Sequence, residues 1–80
     1  MTYIATFSHH FGAVRFQRNL TKQGFSAKMM PVPRRLSSSC GTCVTFEYAG
    51  DLAALDQEDV EQVYEAEGHT YRLVLDCREL

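Results

Sequence analysis

The stretch Asp56-Gln57-Glu58-Asp59-Val60-Glu61-Gln62-Val63-Tyr64-Glu65-Ala66-Glu67-Gly68 decides the fold. Read at helical spacing, Val60, Val63 and Tyr64 make one apolar stripe. Asp56 is a suitable N-cap, Glu58 and Asp59 place negative charge at the positive end of a helix, and Gly68 closes it. The pattern predicts a second helix here. Upstream, Ala49 to Leu55 reads as a connection. Downstream, Tyr71, Leu73 and Leu75 alternate with Arg72 and Val74, which predicts a strand over His69–Asp76.

The first half shows the same order of elements. Thr2–Phe7 is rich in β-branched and aromatic residues and reads as a strand. Ser8 is placed to cap a helix over residues 9–23, in which Ala13, Phe16 and Leu20 recur at helical spacing, Val14 widens the stripe, and Gly24 ends the run. Phe25–Met30 reads as the next strand, stopped by Pro31 and Pro33. From Thr42 a strand resumes, with Val44, Phe46 and Tyr48 on one face and Cys43, Thr45 and Glu47 on the other. The resulting order, βαββαβ, predicts an α+β ferredoxin-like sandwich: four antiparallel strands with two helices on one face. Residues 1–80 would form a single domain, with a long cysteine loop at 31–41.

Composition fits a globular domain, at 45% hydrophobic and 22% charged residues. No stretch approaches the ~20 apolar residues of a membrane span, and no basic leader precedes an apolar run, so a cytoplasmic protein is expected. The net charge of −2 hides an asymmetry: Met1–Phe46 carries +6 with no acidic residue, whereas Glu47–Leu80 carries −8. Such a split points to an anionic ligand or acidic partner for the first half, or to attraction between the two halves in the fold. The two helices packing side by side would absorb part of it, leaving Arg34 and Arg35 beside Cys40.

Three cysteines, Cys40, Cys43 and Cys77, are an odd number and argue against a secreted disulfide scaffold. In a reducing compartment they are free, reactive or metal-binding thiols. Cys40 ends the segment Pro31-Val32-Pro33-Arg34-Arg35-Leu36-Ser37-Ser38-Ser39-Cys40-Gly41, a polar loop too long for a simple hairpin. Arg34 and Arg35, with backbone N–H groups of Ser37, Ser38 and Ser39, are suited to stabilise a thiolate there. Gly41 lets the backbone take positive φ and lets a partner approach. The plain alternative is a spectator thiol on a loop.

This loop, the opening Tyr3-Ile4-Ala5-Thr6-Phe7 and the helix ending near Gly24 resemble the family of selenium/sulfur carrier-like proteins, from residue 2 to about 75. The resemblance implies a ferredoxin-like outline and a role for Cys40 in carrying sulfur or selenium as a persulfide or selenopersulfide. It also implies a donor partner, a cysteine desulfurase or a protein of selenium metabolism, and no cofactor. The resemblance favours a thiol-based carrier over a turnover enzyme without deciding between them. Cys43 departs from the family, where an aliphatic residue is expected, and creates the pair Cys40-Gly41-Thr42-Cys43.

That pair opens a dithiol redox reading, with Cys43 resolving a persulfide or closing a disulfide. It leads into a strand rather than a helix, unlike the thioredoxin-like setting that gives such pairs their meaning. A noncatalytic module that binds a partner protein or small anion is the rival class. Zinc would draw on the three cysteines with His9, His10 or His69, but a second close-spaced pair is missing and no metal is expected. His9 and His10 stand in the first turn of the helix, suited to an anion or a proton shuttle. Nucleic acid is not expected, because no strand carries the aromatic signature of an RNA-binding sheet. Cys77 reads as a surface thiol in the tail, and the exposed sheet edges allow a homodimer.

Overall fold

The computed structural model describes residues 1–78. The chain runs through β1 (Thr2–Phe7), α1 (His10–Lys22), β2 (Ala27–Pro31), β3 (Thr42–Glu47), a 3-10 turn (Leu52–Leu55), β4 (Val60–Glu67) and β5 (Thr70–Asp76). All five strands belong to one antiparallel sheet in the order β2-β3-β1-β4-β5. β1, α1 and β2 form a crossover with β3 slotted between the two strands, which is the split half of the expected ferredoxin-like pattern.

The second half corrects the expectation. Residues 60–67 are a strand and not a helix, so the described residues form one α-helix and five strands rather than two helices and four strands. The stripe that reads as helical has a different cause. Val60 pairs with Phe7 and Gln62 with Thr6, which leaves Glu61 as the extra residue of a β-bulge. The bulge puts Val60 and Val63 on one face at a spacing of three, as a helix would. Gly68, at φ 60°, then supplies the positive φ that the two-residue turn into β5 requires.

The core lies on one face, the front. There Tyr3, Ala5 and Phe7 of β1 meet Val44 and Phe46 of β3, Val60 and Val63 of β4, and Ala13, Phe16 and Leu20 of α1. Phe16 stands edge-on to Phe7 and Phe46, with ring centroids 5.2 and 5.3 Å apart. The helix covers β1, β2 and β3. Over β5 lies the 3-10 turn, whose Leu52 and Leu55 join the same core where the second helix was expected.

Ser8 does not cap α1. His9 occupies the cap position without a side-chain bond, and the Ser8 hydroxyl turns to Asp59 instead, 3.3 Å from its Oδ1. The Ser8 N–H donates to the Asp59 carbonyl at 2.9 Å, which ties the start of the helix to the start of β4. Arg15 reaches Glu58 and Asp59, each at 3.6 Å, so part of the charge asymmetry is attraction between the halves. Gly12 is buried against Asp59, and a Cβ added at Gly12 would overlap the Asp59 side chain. Gly12→Ala should therefore lower stability by about 1–3 kcal/mol despite the better helix propensity of alanine. A urea titration showing an unchanged or higher midpoint would contradict this packing.

Candidate functional site

The other face of the sheet carries no helix, yet Ile4, Thr6, Cys43 and Gln62 are buried on it. Their cover is the loop between β2 and β3. It leaves the sheet at Pro31 and returns at Thr42, where the Val32 N–H donates to the Gly41 carbonyl at 3.1 Å. In between, Arg35 donates to the carbonyl of His69 at 2.8 Å, in the turn between β4 and β5. Ser38 donates to the carbonyl of Phe7 at 2.8 Å, back at the end of β1. The loop thus crosses the back face diagonally and comes back, with Val32, Pro33 and Leu36 half-buried beneath it.

Cys40 sits where the loop rejoins the sheet. Its thiol is partly exposed, packs against the edge of the front core and donates to the Thr42 carbonyl at 3.4 Å. The Ser38 hydroxyl lies 3.8 Å from the sulfur and accepts from the Cys40 N–H at 3.4 Å. Ser39 is clamped by Glu61: its N–H meets Oε1 at 3.2 Å and its hydroxyl meets Oε2 at 2.7 Å. Gly41 takes φ 73°, which lets the chain turn sharply into β3. Ser37, Ser38, Ser39, Glu61, Gln62 and Arg78 line an open cavity of about 260 Å³ beside this turn. His10 approaches from the first turn of α1, with Nδ1 3.4 Å from the Thr42 hydroxyl, so Cys40 and His10 both touch Thr42. His9 is exposed at the cap.

Arg34 and Arg35 are not brought to Cys40. Arg35 is held on His69, beyond Glu67, whereas Ser39 is held on Glu61. Glu61 and Glu67 stand six positions apart on β4, about 20 Å along a strand. Arg34 lines a cavity at the same far end as Arg35. The cation near the cysteine loop is Arg78, which pairs with Asp76 at 3.1 Å. Its side-chain bonds and then its backbone N–H hold the Asp76 carboxyl down at about 2.

The three thiols occupy unlike surroundings. Cys43 is fully buried on the back face, its Sγ 3.7 Å from the Pro31 carbonyl oxygen. Burial, with the neighbouring Cys40 adding, pushes its thiol up to about 11. Cys77 is also raised to about 11, by burial and then by the bond to and charge of Asp56. Among the described residues no group of three or more His, Cys, Asp or Glu side chains is arranged to hold a metal. No helix among them is long and apolar enough to cross a membrane.

A protein-family model described as "Putative Se/S carrier protein-like" matches residues 2–72. The chain belongs to that family. The match takes in Cys40 and Cys43 and stops short of Cys77 and Arg78 in this Se/S carrier-like chain. No curated protein and no solved structure matches it.

Glu61 and Arg78 join the site without any signal in the sequence. Glu61 falls on the outer side of the expected helix, and Arg78 is a tail residue with no motif around it. Nothing in the local pattern announces either, because each reaches the loop through the sheet.

Two outcomes follow from this geometry. Removing the Glu61 carboxylate by Glu61→Ala should free Ser39 and raise local opening roughly tenfold to a hundredfold, the loss of a pair of hydrogen bonds to a charged group. Amide hydrogen exchange at Ser39 would report it, and unchanged protection there would contradict the clamp. At high pH, the unfolded chain ionises Cys43 and Cys77 from about 9.0, whereas the folded chain resists until about 11. Stability should therefore fall as pH rises from about 9 to about 11. Cys43→Ala should show a shallower fall in urea midpoint over that window, because one of the two raised thiols is gone. Parallel slopes for the two chains would rule the account out.

Proposed function

We propose that the chain is a thiol-based sulfur or selenium carrier that loads on Cys40. The observation that carries this reading is the contrast among the three cysteines. Cys43 has no exposed surface, Cys77 is partly exposed but lies against Asp56, and burial raises both thiols to about 11. Cys40 is partly exposed among serine hydroxyls, on a loop fixed by hydrogen bonds. A carrier needs a thiol that a donor can reach and that stays in one place while it is reached.

The step conserves atoms and charge. The Cys40 thiolate attacks the outer sulfur of a persulfide on the donor, a cysteine desulfurase or a protein of selenium metabolism. The donor's S–S bond breaks and its cysteine leaves as a thiolate, while a new S–S bond forms on Cys40 and the outer proton travels with the transferred sulfur. Selenium moves in the same way. Ser38, 3.8 Å from the sulfur, is the nearest hydroxyl to the charge that moves, and His10 flanks the same residue as Cys40 for proton handling. The reverse reaction on an acceptor thiol completes the relay, so no cofactor and no net oxidant is needed.

A dithiol between Cys40 and Cys43 is disfavoured by the same surroundings. The Cys43 side chain faces the covered back of the sheet and its thiol is raised, so it is a poor attacking group in its folded position. The experiment is incubation with a cysteine desulfurase and free cysteine, followed by intact mass. The wild-type chain should gain about one or two sulfur masses that a reductant removes, and Cys40→Ser should gain none. An adduct retained by Cys40→Ser, or none on the wild type, would refute the reading.

A further inference from the structure

The far end of the loop carries a second site that is independent of the carrier reading. Pro33, Arg34, Arg35, His69 and Tyr71 line an open cavity of about 240 Å³ at the turn between β4 and β5. Three observations set it apart. First, its lining holds two guanidinium groups and no carboxylate. Second, the other arginines near acidic residues are neutralised: Arg15 by Glu58 and Asp59, Arg72 by Glu65, and Arg78 by Asp76. Arg34 and Arg35 have no carboxylate partner among the described residues, in a chain whose net charge is −2. Third, the backbone that carries both arginines is fixed, and the Arg35 side chain is held in place. Arg35 spends one N–H on the His69 carbonyl, and the Leu36 N–H donates to the Pro33 carbonyl at 3.0 Å, which closes a turn around both arginines.

From this we infer that the cavity binds a phosphate group, either as the free anion or as a small monoester. Two arginines lining one cavity match a tetrahedral dianion in charge and in number of donors better than they match a single carboxylate. The cavity is smaller than the ~300–1,000 Å³ of sites for drug-sized ligands, which restricts the occupant to a small anion or headgroup. Tyr71 and Pro33 offer apolar walls against which an ester's carbon chain can lie. Binding at this end would also tie the loop more firmly to the back face, since residues 33–35 belong to the same segment that delivers Cys40.

The test is an NMR titration of the whole chain at pH 7.5 with inorganic phosphate, glycerol 3-phosphate, acetate and chloride at matched ionic strength. Saturable shifts should centre on Arg34, Arg35, His69 and Tyr71 for at least one phosphate species, and acetate should give no more than chloride. Saturation by inorganic phosphate identifies the free anion as sufficient, and saturation by the ester alone identifies the monoester. Arg34 is exposed and makes no hydrogen bond or ion pair among the described residues, so Arg34→Gln should keep the fold while weakening binding about tenfold or more. Arg18→Gln, an exposed cation elsewhere, should leave binding unchanged, as should Cys40→Ser. Shifts that fail to saturate, that chloride reproduces, or that persist at full affinity in Arg34→Gln would overturn the proposal.

Discussion

The bulge at Glu61 is the constraint that joins the sheet to the cysteine loop. An uninterrupted strand would alternate strictly and send Val60 and Val63 to opposite faces. One extra residue lets both enter the front core and frees Glu61 from the pairing with β1. Its carboxylate is then available to accept from the Ser39 N–H and hydroxyl, and its carbonyl accepts from the Cys77 N–H at 2.9 Å. Loop, strand and C-terminal segment therefore meet on one residue. Bulges of this kind re-aim side chains beside functional sites, and here the re-aimed side chain fixes the neighbour of Cys40.

The loop has a structural duty as well as a chemical one. With a single helix, the sheet has only one face covered by regular structure, and the other would leave Ile4 and Cys43 in water. Laying the segment 32–41 across that face buries Ile4 to 4% exposure, a contribution on the order of 1.5–3 kcal/mol. Polar anchors supply the register: Arg35 on the His69 carbonyl, Ser38 on the Phe7 carbonyl, Ser39 on Glu61. Arg35 and the serines Ser38 and Ser39 are therefore fasteners at opposite ends of a strap. Proline at positions 31 and 33 lowers the entropy that such a strap loses on being ordered.

How far the sequence reveals this follows from where the determining contacts lie. β1, α1 and the core faces of β1 and β3 are legible because Ala13, Phe16 and Leu20, and Val44, Phe46 and Tyr48, obey a single period from end to end. β4 is not, because a bulge converts period two into an apparent helical spacing, and Glu, Gln and Ala in the same window favour a helix locally. The register with Thr6 and Phe7 that decides the matter is a contact between residues more than fifty positions apart. Likewise, Cys40, Gly41 and the serines stand together in sequence and in space, so their grouping is readable. Arg34 and Arg35 are six and five positions from Cys40, yet the strap turns between them and Cys40. Proximity along a chain places residues together only where the chain does not cross a sheet.

The environments of the three thiols follow from the same architecture. Strand alternation turns Cys43 to the back face, where the strap seals it and burial keeps it neutral. Cys77 follows β5 toward Asp56 and Asp76, whose charges oppose a thiolate. Cys40 lies at the point where the strap ends and the sheet begins, so it is neither sealed nor surrounded by carboxylates that touch its sulfur. Cys40 and Cys77 are both partly exposed, so what separates them is the carboxylates beside Cys77 rather than burial. Through Glu61 the β4 bulge holds Ser39, and with it the part of the strap that runs between the sealed Cys43 and the partly exposed Cys40. Loosening that clamp would expose the buried thiol and disorder the exposed one together, and the discrimination between them would be lost before the fold was.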